Sequence, residues 1–266
     1  MKTALSRLVP SAVRCVLRRL VQPRIYRGDF ATWADAQCAS RGYADPAIIE
    51  KVVAAARAVR DGHAVWERDT VLFHEPAANE PLLRALRYAA KANGGRLDVV
   101  DFGGALGSTW WQHRPWLADV GEVRWSVIEQ PALVAAGQRE FTAGPVRFFS
   151  SLDEGGSTGQ PDVMLLSSVL PYLENPRALL RDALARPFRH AIIDRTGFVA
   201  RGRDRLTVQH VPAAIYAASY PCWFFDRRTL LAGFSAEWRV VDEWVTNDET
   251  DIAAEHRGFL LERKTP

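Results

Sequence analysis

An apolar run, Leu97-Asp98-Val99-Val100, ends in Asp101-Phe102-Gly103-Gly104-Ala105-Leu106-Gly107. Glycines that close a strand and open a helix bring main chain close to a ligand, and the first N–H groups of the helix add a partial positive charge. The next apolar segment, Trp125-Ser126-Val127-Ile128, ends in the carboxylate of Glu129. At the carboxyl end of a strand, such a group accepts from both hydroxyls of a ribose, which fits a free 2′-hydroxyl and argues against a 2′-phosphate. A dinucleotide fingerprint G-x-G-x-x-G ending at Gly107 requires glycine at 102 and 104. Gly104 is present, but position 102 is Phe.

A second set of chemically capable residues follows Ala191-Ile192-Ile193-Asp194. The stretch 195–225 reads as a long loop and carries His210, Tyr216, Tyr220 and Trp223. Loops of that length over a sheet edge commonly serve as lids. Asp194 and His210 are candidates for a base or its orienter, and Tyr220 with Tyr216 and Trp223 for the wall of an acceptor pocket. His113, on the helix after the glycine loop, is a weaker candidate. No H-E-x-x-H or Cys/His cluster occurs, so no metal is implied. No G-x-S-x-G elbow occurs, against an α/β-hydrolase.

Positioning these groups requires alternating strands and helices. Strands are predicted at 97–102, 123–128, 146–149, 163–166 and 191–194. Helices are predicted over 131–141, from Asn175-Pro176, and from Asp226 to Gly233. Strands at 238–244 and 258–261 with no helix between them predict a terminal hairpin. The expected fold is α/β, a Rossmann-like doubly wound sheet with an antiparallel last strand. Upstream, helical spacing over 45–60 and a helix starting at Asn79 predict a helical N-terminal section. The divisions are a basic segment 1–42, a helical section 43–95, and a ligand-binding domain 96–266 that includes the lid 195–225.

With 266 residues, 48% of them hydrophobic, the chain buries its own core without a staple. The three cysteines, Cys15, Cys38 and Cys222, form no C-x-x-C pair, which suits a reducing cytosol. A net charge of +3 gives no case for nucleic acid. Residues 1–28 interleave arginines with Leu and Val before the first acid, Asp29. That pattern fits peripheral contact with an anionic membrane face, or a helix packed on the main domain.

Asp101, Gly103 and Gly107 resemble the D-x-G-x-x-x-G core of class I methyltransferases, and the resemblance covers residues 96 to 262. More narrowly, Asp101 through Thr109, Val127-Ile128-Glu129-Gln130, Ser167-Ser168-Val169-Leu170, Asp194-Arg195-Thr196 and Ala218-Ser219-Tyr220-Pro221 look like a bacterial methyltransferase family often associated with surface-polysaccharide gene clusters. That narrower resemblance extends upstream to about Tyr43. It implies a seven-stranded sheet and S-adenosyl-L-methionine as cofactor. It also implies Asp101, Gly103, Gly104 and Gly107 around the methionine end, Glu129 on the ribose, Ser150 and Ser151 near the adenine, and Ser167 and Ser168 beneath the sulfonium. Ala105 stands where the pattern has a third glycine, and it is expected to take a negative φ. The implied activity is methylation, of oxygen by analogy, on a small-molecule or glycan acceptor. Two alternatives stay open: a nucleotide-sugar enzyme on the same sheet, and a binding protein that keeps the fold without turnover.

Overall fold

The computed structural model describes residues 25–42, 46–142, 144–156, 161–212 and 218–264. The basic leader up to residue 24, Tyr43 and Tyr216 lie outside them. The described chain runs β1 (Tyr26–Phe30), α1 (Trp33–Cys38), α2 (Pro46–Arg60), β2 (Trp66–Arg68), β3 (Val71–Phe73), α3 (Glu80–Ala92), β4 (Arg96–Phe102), α4 (Ser108–His113), β5 (Glu122–Ile128), α5 (Pro131–Glu140) and β6 (Val146–Phe149). It continues with α6 (Leu152–Gly156), β7 (Val163–Ser167), α7 (Pro176–Ala185), β8 (His190–Val199), β9 (Arg205–His210), β10 (Ser219–Phe224), α8 (Arg227–Ala232), β11 (Trp238–Val245) and β12 (Ala254–Arg263).

Seven strands form one sheet in the order β11-β12-β8-β7-β4-β5-β6. β4 pairs in parallel with both β5 and β7, and β8 continues the parallel set. β12 is antiparallel to both of its neighbours. This is the Rossmann-like doubly wound sheet with an antiparallel last strand. Alternation decides its two faces. Leu97, Val99, Val127, Leu165 and Ile192 pack on one side with Leu82 and Leu86 of α3. Val100, Met164, Leu166 and Ile193 pack on the other with Leu180 and Leu184 of α7. Burial on both faces is why these strands read as continuous apolar runs. From β4 the chain winds out to β6, then returns to β7 on the other side of β4. The crevice between β4 and β7 is therefore a topological switch point, where open α/β sheets bind ligands.

Two expectations are corrected. The section before β4 is not wholly helical. β1 pairs antiparallel with β9, Tyr26 opposite Gln209, and β2 with β3 makes a hairpin. Likewise, the described part of 195–225 is not one long loop: β8 runs on to Val199, and β9 with β10 completes a three-stranded sheet β1-β9-β10. Leu206 and Val208 bury against Ala36 on one face, and Thr207 between them is buried on the other, donating its hydroxyl to the Cys222 carbonyl at 2.9 Å. Pro221 lacks an N–H to donate and is tolerated because β10 is an edge strand of this sheet. Among the described residues, no helix is long and apolar enough to cross a membrane, and no group of three or more His, Cys, Asp or Glu is placed to hold a metal.

Candidate active site

A cavity of about 850 Å³ opens over the switch point, within the range of ligand pockets. Asp101 to Ala105, Ile128 to Pro131, Ser150 and Ser167 to Val169 line one part. Tyr26, Gln209 and Tyr220 of the smaller sheet, Arg68 of the β2–β3 hairpin, and Arg195 and His256 of β8 and β12 line the rest.

The glycine loop is built by left-handed backbone. Gly103 has φ +74°, and a Cβ there would lie 2.5 Å from Cγ2 of Val169. Gly107, with φ +83°, is the N-cap of α4. At Gly104 an added Cβ would come within 2.5 Å of the Asp101 carboxylate, so the loop tolerates no side chain there. Ala105 departs from expectation: its φ is +51°, not negative. An L-residue pays about 1–2 kcal/mol for that conformation, so the loop holds its curvature against local preference.

Asp101 is buried, and its Oδ2 accepts from Trp125 Nε1–H at 2.9 Å. Burial pushes its pKa up to about 7, against the Trp125 hydrogen bond, with Glu129 adding repulsion. Glu129 accepts from the Gln130 N–H at 2.7 Å and from the Ala105 N–H. Burial raises its pKa too, and those two backbone donors oppose the shift. The carboxylate at the end of β5 is thus tied to the glycine loop. Ser150 lines the cavity, whereas Ser151 caps α6, its Oγ accepting from Glu154 N–H at 3.3 Å. Gly107 and Ser151 are not among the lining residues.

Ser167 and Ser168 sit at the end of β7 beside Asp194. Ser168, at φ +56°, donates its N–H to the Asp194 carbonyl at 2.9 Å. The Asp194 carboxylate is fully buried and meets three donors: Trp244 Nε1 at 2.9 Å, Asn79 Nδ2 at 3.1 Å and Ser167 Oγ at 3.2 Å. Burial raises its pKa, opposed by the Trp244 and Ser167 hydrogen bonds and the Arg195 charge. Buried and held by three donors, it orients its neighbours. His113 is buried, with Nδ1 2.8 Å from the Thr109 carbonyl and Nε2 accepting from the Asn79 N–H at 3.1 Å. Both nitrogens are committed, and burial lowers its pKa, so the ring is a neutral brace under the cavity wall.

His210 is not brought to the cavity. Its neighbours Gln209 and Val211 line it, and side chains on a strand alternate between faces, so His210 points the other way. Tyr220 does line the cavity, its ring edge-on to Tyr172 at 5.2 Å. Tyr172 in turn donates its hydroxyl to Gln209 Oε1 at 2.9 Å.

Two lining residues had no role assigned from the sequence: Arg195, which stands there only inside the Asp194-Arg195-Thr196 motif, and His256. Arg195, in a bulge of β8 at φ +49°, donates to Asp248 at 2.9 Å and approaches Asp69 at 3.7 Å. Burial works against its charge, and these two carboxylates more than restore it. His256, on β12, is 8% exposed, lies near Tyr26 and Phe224, and its buried Nδ1 has no hydrogen-bond partner among the described residues. Burial lowers its pKa and the Asp248 carboxylate raises it, with a net shift downward.

No protein-family model matches the chain, and no curated protein matches it by sequence. Solved structures resemble it at a distance. The N-terminal domain of EvdMO1, crystallised with S-adenosylhomocysteine and D-fucose, is 18% identical, covers 83% of this chain and 100% of its own, and gives a TM-score of 0.48. The 1,6-didemethyltoxoflavin-N1-methyltransferase of Burkholderia thailandensis is 22% identical over 85% of this chain and 92% of its own, with a TM-score of 0.43. Magnesium protoporphyrin IX methyltransferase of Synechocystis PCC 6803, with bound S-adenosylmethionine, is 17% identical over 83% and 100%, with a TM-score of 0.42. These likenesses are remote, and the fold assignment stands on strand order and register.

Proposed function

We propose that the protein is an S-adenosyl-L-methionine-dependent methyltransferase acting on a small-molecule acceptor, with oxygen as the acceptor atom and a glycan among the candidate acceptors. The supporting observation is the pairing of the left-handed Gly103–Gly107 turn with a Glu129 carboxylate bonded to that same turn, over a switch-point cavity. The residues fit the cofactor. Gly103 and Gly104 let main chain approach its amino-acid end, Glu129 takes the ribose hydroxyls, and Ile128 with Ser150 flanks the base. When bound, it supplies an electrophilic methyl group.

What the chain supplies is alignment, exclusion of water, and removal of a proton. Asp194 positions Asn79 and Ser167. Tyr220 and Tyr172 shape the acceptor side. His256 is the proton acceptor in this reading, because it lines the cavity, the imidazole is held neutral, and its Nδ1 has no partner among the described residues. Incubating the full chain with the cofactor and a panel of hydroxylated acceptors tests the reading by following S-adenosylhomocysteine release. Acceptor-dependent release is expected; its absence across the panel, with the cofactor bound, favours a binding protein. Peripheral membrane contact through residues 1–28 is a separate proposal, tested by pelleting with anionic vesicles with and without that segment.

A further inference from the structure

We propose that Arg68 anchors an anionic group, a carboxylate or a phosphate, on the acceptor molecule. The inference rests on the methyltransferase reading for the name of the reaction, and on the cavity wall for the site.

Arg68 is half-buried, lines the cavity, and has no carboxylate within ion-pair distance among the described residues. Its neighbour Arg195 shows the contrast, since Asp248 and Asp69 neutralise that guanidinium. The nearby acids are also committed, Asp248 to Arg195 and Asp194 to Trp244, Asn79 and Ser167. What Arg68 does have is an aromatic support: its guanidinium carbon lies 5.3 Å from the Trp66 ring centroid, and that ring stacks on Phe73 at 3.8 Å. A cation–π contact fixes the group without using its N–H donors. A planar fork of free donors, held rigid in a cavity wall, is the geometry that takes an oxyanion in two parallel hydrogen bonds.

The turn that carries it is strained. Asp69 and Thr70, the two residues between β2 and β3, both take positive φ, +51° and +69°. Such values are uncommon outside glycine and, for a β-branched residue, genuine outliers. The turn is secured from beneath, where buried Glu67 accepts from the Thr70 N–H at 3.2 Å and from the Ser108 hydroxyl. Strain retained by supporting bonds marks segments whose shape serves a site. Here that shape delivers an unneutralised cation to the cavity. Burial and the Arg195 charge disfavour the guanidinium where it sits by more than the Asp248, Asp69 and Asp194 carboxylates favour it, and a bound anion offsets the balance.

The test uses the full chain saturated with S-adenosylhomocysteine, titrated calorimetrically with inorganic phosphate and, separately, acetate at constant ionic strength. At least one is expected to bind at a single site, and the tighter of the two identifies the group as phosphate or carboxylate. Arg68→Gln should weaken that binding at least tenfold, about 1.4 kcal/mol, with Arg68→Lys in between. Affinity for S-adenosylhomocysteine should stay within twofold in both variants, which also shows that they fold. No binding of either anion to the wild-type chain, or equal binding to Arg68→Gln, overturns the proposal. Anion binding that depends on Arg68 in a chain that fails to bind S-adenosylhomocysteine keeps the site and removes the methyltransferase reading.

Discussion

The side-chain amide of Asn79 donates to Asp194 Oδ2 at 3.1 Å, joining the start of α3 to the end of the parallel part of β8. The same Asn79 caps α3 through Oδ1 to Leu82 N–H at 3.4 Å, and its own N–H reaches His113 at 3.1 Å. One residue therefore ties the N-terminal helices, the helix after the glycine loop and the sheet together beneath the cavity.

Replacing it separates these duties. Asn79→Ala loses the cap and one donor to a buried carboxylate, and should cost about 1–3 kcal/mol. Asp is as good a cap as Asn, yet Asn79→Asp sets a second carboxylate against Asp194 and should destabilise more than Asn79→Ala at pH 8. Denaturant unfolding of the two variants checks the order; an Asn79→Asp chain as stable as wild type would show that the link to Asp194 is unimportant.

Asp101 makes stability depend on pH. Its pKa rises from the ordinary carboxyl range to about 7 on folding, so the folded state binds the proton more tightly than the unfolded state. That contribution is fully present below about pH 4, the unfolded value, and is lost as pH climbs to about 7. Asp101→Asn removes the titration. The Tm difference, Asp101→Asn minus wild type, should therefore grow from pH 5 to pH 8 in the ligand-free chain, and a constant difference counts against a buried, titrating Asp101.

At Ala105 the strain is directly measurable. Ala105→Gly removes about 1–2 kcal/mol of left-handed penalty and returns about 0.4–1 kcal/mol through the freer unfolded chain. A net gain of about 0.5–1 kcal/mol is expected in chemical denaturation.

For His256, the downward shift places the acid limb of kcat/KM below the ordinary imidazole value of about 6.5. Activity should rise with pH through that limb and level off. His256→Gln should abolish the limb and lower kcat by about 10²–10⁴-fold, while S-adenosylhomocysteine binding is retained. An unchanged profile would exclude His256 as proton acceptor.

The sheet was legible because a parallel strand buried on both faces announces itself as an apolar run, as Val163-Met164-Leu165-Leu166 does. The glycine-loop end of the cavity was legible because strand, glycine turn and helix are consecutive in sequence. The opposite end was not. β1 and β9 find each other across a span that leaves no local trace, and β9 hides Leu206 and Val208 among Arg205, Gln209 and His210. The Asp69-Thr70 turn lacks the glycine that advertises two positive φ values, so Arg68 gave no signal. Reading β9 as a loop also hid the alternation that turns His210 away and Gln209 inward.

The central claim is that the Gly103–Gly107 turn and Glu129 together hold an adenosyl sulfonium compound. Calorimetry of the full chain with S-adenosylhomocysteine, NAD and UDP tests it most directly. One site for S-adenosylhomocysteine is expected, weakened at least tenfold in Glu129→Ala, with no comparable binding of NAD or UDP. Tighter binding of NAD or UDP, or a Glu129→Ala chain that binds S-adenosylhomocysteine as wild type does, would contradict it.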